Sequence, residues 1–334
     1  MRRVFPPFVR IYCLQITALL KKGIVIKSTG SWYQVKLDAG PTLNCRIRGK
    51  FRLQGQKLTN PVAVGDRVVV NEEKEADMGM IKSVLPRENY VVRQSPRQKH
   101  HLHLLASNID QAVLIVTIRN PDLKQGFIDR FLLMPEPHDI HVYFVFYKSD
   151  VYDEDDLAFF ALMEAIYESI GYRVLLVSSL TGDGLDDLRE LLRDKISLVS
   201  GQSGVGKSSL INQLQPGLEL RTEVLSDYSG KGQHTTTFAE MFSLDGGGSI
   251  IDTPGIKMLA FNNLEVMDVA HNFRELFIES EHCKFGDCTH RNEPKCAVKA
   301  AVENGEISEL RYANYLQIVA EIEDQNYWER HTEM

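Results

Sequence analysis

GQSGVGKSS, residues 201–209, decides the fold of this chain. Gly201, Gly206, Lys207 and Ser208 satisfy the phosphate-loop pattern G-x-x-x-x-G-K-[ST]. Glycines let a backbone wrap around phosphates at torsions other residues avoid. The amides of Gly201, Gln202, Ser203, Gly204, Val205, Gly206, Lys207, Ser208 and Ser209 can then cradle anionic oxygens at a helix N-terminus. Lys207 can reach the β- and γ-phosphates, and the Ser208 hydroxyl can hold Mg²⁺. ISLVS (196–200) before the run reads as a strand, and SSLINQL (208–214) as the start of a helix. A chance glycine loop would not bring both the full pattern and that context. The motif implies a nucleoside triphosphate with magnesium and leaves the base open.

Downstream, GSIIDTPG (248–255) places Asp252 at the end of an apolar strand. That position suits a carboxylate contacting Mg²⁺ directly or through water, with Gly255 near the γ-phosphate. Four residues are a weak signal by themselves and a strong one behind a phosphate loop. Between the two lies GQHTTT (232–237). Thr236, ahead of Thr235, is expected to close over Mg²⁺ and the γ-phosphate; the plain alternative is a Thr-rich strand start.

Upstream, YKSD (147–150) follows the apolar strand IHVYFVF. It resembles the guanine-reading [NT]-K-x-D of GTPases, where the Asp accepts two N–H bonds from the base and the Lys stem packs along it. Tyr147, Lys148, Ser149 and Asp150 are the candidate base loop. Adenine offers no matching donor pair, so Asp150 disfavours ATP. Tyr147 stands where an asparagine usually braces the loop, and the expectation is guanine preference at reduced affinity. SSLTGDGL (178–185) resembles the last base loop, with Ser178 and Ser179 in the contact positions and the Ser179 N–H toward guanine O6.

From residue 109 the chain alternates β and α: IDQAVLIVTI, FIDRFLLM, IHVYFVF, DLAFFALMEAIYESIG, YRVLLVSS and GLDDLRELL precede the phosphate loop. This is the pattern of a doubly wound parallel sheet. Pro135 and Pro137 would interrupt a helix in LLMPEPHDI. Residues 22–93 instead alternate apolar and polar positions between turns, which suits a small OB-like β-barrel. SPRQKHHLHLLASN (95–108) reads as a linker, and its histidines 100, 101 and 103 as a polar segment.

The chain has 334 residues and a formal net charge of −7. Residues 1–100 carry 19 Lys/Arg against 7 Asp/Glu. A basic first third on an acidic body suggests a module for polyanions. No segment approaches the roughly 18 uninterrupted apolar residues of a membrane span. Residues 1–20 lack a clean signal-peptide core and read as a disordered tail or an upstream extension of the reading frame.

Three of the five cysteines fall within fourteen residues. Cys283, Cys288, His290 and Cys296 form C-x4-C-x-H-x5-C, a full tetrahedral set for structural zinc. His282 is the second-choice imidazole. Lys284, Arg291, Lys295 and Lys299 beside the cluster could contact RNA or form a solvated face.

The base motif here precedes the phosphate loop, whereas ordinary GTPases run in the opposite order. With a basic barrel before it and a Cys/His cluster after it, this circularly permuted set resembles the RsgA/YjeQ family of small-ribosomal-subunit biogenesis GTPases, from about residue 20 onward. The resemblance implies an α/β chain: a tail at 1–20, an OB-fold RNA-binding domain at 21–95, a circularly permuted P-loop GTPase domain at 96–270 and a zinc-binding helical domain at 271–334. It also implies hydrolysis of GTP to GDP, stimulated by the small (30S) subunit and its rRNA, in a monomeric cytoplasmic protein that assists late subunit maturation. Ile256 after DTPG cannot orient an attacking water, so His234 becomes the catalytic candidate beside Lys207 and Thr236, against a merely supporting role in the loop. A non-hydrolysing rRNA-binding factor with a degenerate site is the alternative, favoured by Tyr147. An ATP-using P-loop enzyme is a third reading, disfavoured by Asp150.

Overall fold

The structure is a computed structural model that describes residues 20–47, 60–73, 78–94, 102–218, 239–253 and 264–331. The expectation for a disordered tail falls on residues outside this set, apart from Leu20, which opens the first strand. Period-two alternation builds the N-terminal strands Leu20–Ser28 (β1), Tyr33–Leu37 (β2), Thr42–Ile47 (β3), Arg67–Glu73 (β4) and Met78–Val84 (β5). In β2, Tyr33, Val35 and Leu37 are buried while Lys36 faces solvent. The strands run in the order β1-β2-β3-β5-β4, and β4 pairs back with β1. Only β3–β5 is parallel within this ring. That is a closed five-stranded OB-type barrel, cored by Val25, Val35, Leu43, Cys45, Val68, Val70 and Ile81.

Tyr90–Gln94 (β6) and Leu102–Ser107 (β7) form an antiparallel hairpin. The linker expected at 95–108 therefore has to be corrected, because β7 lies inside it. Its Leu104, Leu105 and Ala106 are buried. Asn60 holds Leu104 through both its amide groups, at 2.9 and 3.0 Å, and Ser107 Oγ donates to the buried Asp66 at 2.6 Å. Pairing with a distant strand, and not local alternation, makes this segment a strand. His100 and His101 lie outside the described residues.

The α/β unit comprises Gln111–Val116 (β8), Phe127–Leu132 (α1), His141–Tyr147 (β9), Glu154–Ser169 (α2), Arg173–Val177 (β10), Leu185–Leu192 (α3), Ile196–Gly201 (β11), Lys207–Leu214 (α4), Glu240–Ser243 (β12) and Ser249–Asp252 (β13). Every residue of β8 is buried, as expected for a parallel strand covered on both faces. The order is β10-β9-β8-β11-β13-β12, parallel except for β12. α1 stops at Leu132 and a 3₁₀ turn follows at Glu136–His138, where Pro135 and Pro137 forbid more helix. β12 also pairs with β1, and Lys27 Nζ meets Glu240 Oε2 at 2.7 Å. The barrel and the α/β sheet thus form one eleven-stranded sheet.

Val266–His271 (α5), Arg274–Ser280 (α6), Ala297–Glu303 (α7) and Glu309–His331 (α8) make a helical unit. Tyr315, Ile318, Val319 and Ile322 on one face of α8 pack with Val269, Phe273 and Leu276. Because Val269 and Ala270 belong to this core, the helical unit begins before the expected boundary at 271. It meets the α/β unit through a buried polar network. Arg311 of α8 bonds Asp129 of α1 at 2.5 Å and Glu275 of α6 at 2.7 and 2.8 Å. Tyr167 of α2 and Asn314 of α8 complete the ligation of Asp129 at 2.6 and 2.5 Å.

Candidate nucleotide site and metal cluster

All the described nucleotide motifs emerge at the C-terminal ends of β9, β10, β11 and β13. β8 and β11 are neighbours whose connections run to opposite sides of the sheet, which opens the crevice where ligands bind in such folds.

Two glycines explain the path of the phosphate loop. A Cβ on Gly201 would sit 2.3 Å from the Ile115 carbonyl oxygen, so β11 could not approach β8 with any other residue there. Gly206 has φ +100°, in the region that favours glycine, and caps α4 without a side-chain cap. As N-cap, Gly206 offers the first amides of α4 no side chain of its own. Gln202 is buried and donates to the Asp122 carbonyl at 3.2 Å, tying the loop to the segment after β8. Ser203 and Ser208 are half-buried, Gly204 and Ser209 exposed, and Val205 fully buried.

Burial lowers the pKa of Lys207, and the charge of Asp252 opposes that shift. Asp252 is 2% exposed at the end of β13. Thr253 donates to the Val199 carbonyl at 3.3 Å and fastens that strand end to β11. His234, Thr235, Thr236 and Gly255 lie outside the described residues.

YKSD is the candidate base loop. Lys148 has φ +66° and its Nζ donates to the Asn120 carbonyl at 2.7 Å. Burial lowers its pKa, with Asp150 opposing. Ser178 Oγ donates to Asp150 Oδ1 at 2.5 Å and accepts the Leu180 and Thr181 amides at 3.1 and 3.2 Å. The Tyr147 and Ser179 hydroxyls bond each other. Ser149 opens the short 3₁₀ turn Ser149–Val151, which carries Asp150. Sequence reasoning missed Tyr152. Its hydroxyl donates to the Tyr147 carbonyl at 2.9 Å and accepts the Ile118 amide at 3.0 Å. No motif pattern marks it, because its partners come from two different strand ends.

In the helical unit, Cys283, Cys288, His290 and Cys296 bring their ligand atoms within 4.8 Å of one another. His290 Nδ1 lies 3.7 Å from Cys283 Sγ and 3.5 Å from Cys296 Sγ, and those two sulfurs are 4.0 Å apart. Ligands held about 2.0–2.3 Å from a central ion at tetrahedral angles stand at such separations. The donor set fits a metal ion. Burial pushes the Cys288 thiol up to about 12, a preference a bound cation reverses by stabilising the thiolate. Hydrogen bonds around the ligands hold the turn: Glu293 accepts the Thr289 amide and hydroxyl and the Arg291 amide, and Tyr312 and Tyr315 donate to the His290 and Thr289 carbonyls. His282 is exposed and outside the group. Arg291 is engaged with Glu323 at 2.8 Å, and Lys284 lies over Phe285.

Comparison with known proteins gives a consistent placement. The RsgA GTPase family model matches residues 84–262, and that of the RsgA N-terminal domain matches 22–81. The chain is 49% identical over 308 residues to the small ribosomal subunit biogenesis GTPase RsgA of Bacteroides fragilis, covering 92% of this chain and 98% of that one. It is 46% identical to the protein of the same name from Flavobacterium psychrophilum, covering 91% and 94%. The crystal structure of YjeQ from Thermotoga maritima superposes with TM-score 0.73 at 38% identity, covering 91% of this chain and 99% of that one. YloQ, described as a circularly permuted GTPase, gives TM-score 0.68 at 32% identity, covering 92% and 96%. With its permuted strand order, OB-type barrel and C-terminal metal-ligating cluster, the chain belongs to the RsgA GTPase family.

Proposed function

We propose that this protein binds Mg²⁺–GTP in the crevice between the phosphate loop and YKSD, and hydrolyses it to GDP and phosphate when docked on the small ribosomal subunit during that subunit's late maturation. One observation carries the reading. Two motifs in reversed chain order, YKSD and GQSGVGKSS, converge at the C-terminal ends of β9 and β11 with Tyr147 against Gly206.

Asp150 reads the guanine N–H pair, and Ser178 holds that carboxylate in place. Lys148 lines the base with its stem. The Gly201–Ser209 amides and Lys207 stabilise charge developing on the phosphates in a partly water-excluded site. Ser208 and Asp252, with Thr236, would hold magnesium, which when bound neutralises phosphate charge. Thr236 and His234 are proposed for closure over the γ-phosphate and for orienting water, and Gly255 for the γ-phosphate contact. Cys283, Cys288, His290 and Cys296 would take zinc in a structural role, since four protein ligands leave no open position for chemistry. The basic barrel supplies the rRNA contact, and the protein acts as a cytoplasmic monomer.

The test measures GTP and ATP turnover with and without purified small subunits. Subunit-stimulated turnover of GTP and not ATP supports the reading. Subunit binding indifferent to nucleotide, with no turnover, overturns it in favour of a non-hydrolysing assembly factor.

A further inference from the structure

Tyr147 occupies the position at which guanine motifs usually carry asparagine, yet it does not fill the crevice. The residue is 4% exposed, and its ring is packed into the core beneath the loops. Three contacts run from it, two to other loops and one to Tyr152 of its own segment. Its hydroxyl bonds Ser179 of the last base loop. Its ring edge lies so close to the phosphate loop that a Cβ on Gly206 would stand 2.8 Å from Tyr147 Cε1. Its carbonyl accepts from Tyr152, which also holds Ile118 after β8.

The neighbouring serine completes the arrangement. Ser178 bonds Asp150 and Ser179 bonds Tyr147, so consecutive residues of one loop grip the two ends of YKSD. Burial raises the Tyr147 pKa, with the Ser179 bond opposing and the Asp150 charge adding to the rise, so the hydroxyl stays protonated at neutral pH.

We propose that Tyr147 is a positioning residue that locks the base-reading loops onto the phosphate loop, bracing by ring packing and one hydroxyl bond what asparagine braces elsewhere. The role rests on the GTP-binding reading above. It makes base and phosphate recognition interdependent, since both loops are set against one side chain before ligand arrives.

The experiment titrates the full-length, metal-loaded protein and its Tyr147→Phe, Ser179→Ala and double variants with fluorescent GDP, alongside thermal unfolding without nucleotide. Each single variant is expected to weaken GDP binding about three- to tenfold, the range of one net hydrogen bond. The double variant should be no weaker than the worse single, because both remove the same bond. The nucleotide-free unfolding midpoint should fall by no more than the few degrees that one net hydrogen bond accounts for. A Phe variant that binds GDP like the wild type, or additive losses, or losses that merely follow a midpoint fallen further than that, would overturn the role. Wild-type protein that fails to bind GDP would instead remove the GTP-binding reading itself, and this role with it.

Discussion

Ser178 Oγ donates to Asp150 Oδ1 at 2.5 Å while accepting two amides of its own loop, so one hydroxyl sets both the carboxylate and the loop that meets it. Replacing Ser178 by Ala leaves Asp150 without this donor and opens the turn at Leu180 and Thr181. GDP affinity should fall about tenfold, as for loss of one bond to a charged group. Titration calorimetry checks this, and unchanged affinity would refute the role given to Ser178.

The base-reading role proposed for Asp150 has a direct test. In Asp150→Asn an amide N–H faces the guanine amine, donor against donor. Xanthine carries a carbonyl at that place and offers an acceptor. GDP binding should weaken by about 10²-fold or more, and xanthosine diphosphate should become the better ligand. Competition between the two diphosphates measures the switch, and unaltered preference for GDP contradicts the assignment.

Lys207 sits half-buried beside Asp252, with its pKa lowered by burial against the pull of that carboxylate. Lys207→Met keeps the length of the stem and removes the charge. Turnover of GTP should drop by about 10²–10³-fold, the loss typical of a transition-state charge contact. The circular dichroism spectrum should not change. Turnover within a few-fold of wild type would place the charge stabilisation elsewhere.

Removing the metal should loosen the helical unit and leave the α/β unit standing. Cys288 and Cys296 pack in the same core as Tyr315 and Ile318. Cys288→Ser, or a strong chelator, should release about one metal ion per chain and lower the thermal midpoint by several degrees. Metal analysis together with limited proteolysis near residues 283–296 reads both effects. A chelated protein with an unchanged midpoint would show that the cluster contributes no folding energy.

Arg311 is 1% exposed and holds two carboxylates, the buried Asp129 and the half-buried Glu275. Arg311→Met leaves both charges without their cation and should cost about 3–5 kcal/mol in urea unfolding. Adding Asp129→Asn and Glu275→Gln to that variant should recover part of the loss, because the uncompensated charges are the main penalty.

How much of this was legible beforehand follows from the range over which each signal acts. The phosphate-loop pattern, the strand ending in Asp252 and the Cys/His spacing are local signals, and the strand–loop–helix, the strand and the cluster they imply are present. The barrel alternation and the α/β rhythm are equally local, because side-chain periods of 2 and 3.6 are properties of a single element. β7 reads as linker in the sequence because its strand character depends on β6 and on Asn60, outside its own local pattern. The helical unit begins ahead of residue 271 because α5 is assigned by packing on α8 and carries no composition change of its own.

From its order of motifs alone, the sequence determined that a nucleotide loop follows its base-reading partner, and so which permuted fold the chain must adopt. Tertiary structure alone decided what Tyr147 touches there. A tyrosine in place of asparagine reads as a defect until the loop from β10 and the glycine of the phosphate loop close around it. Hydroxyl bonds and ring contacts between segments tens of residues apart are set by how sheet strands are ordered in space, and no local period records that order.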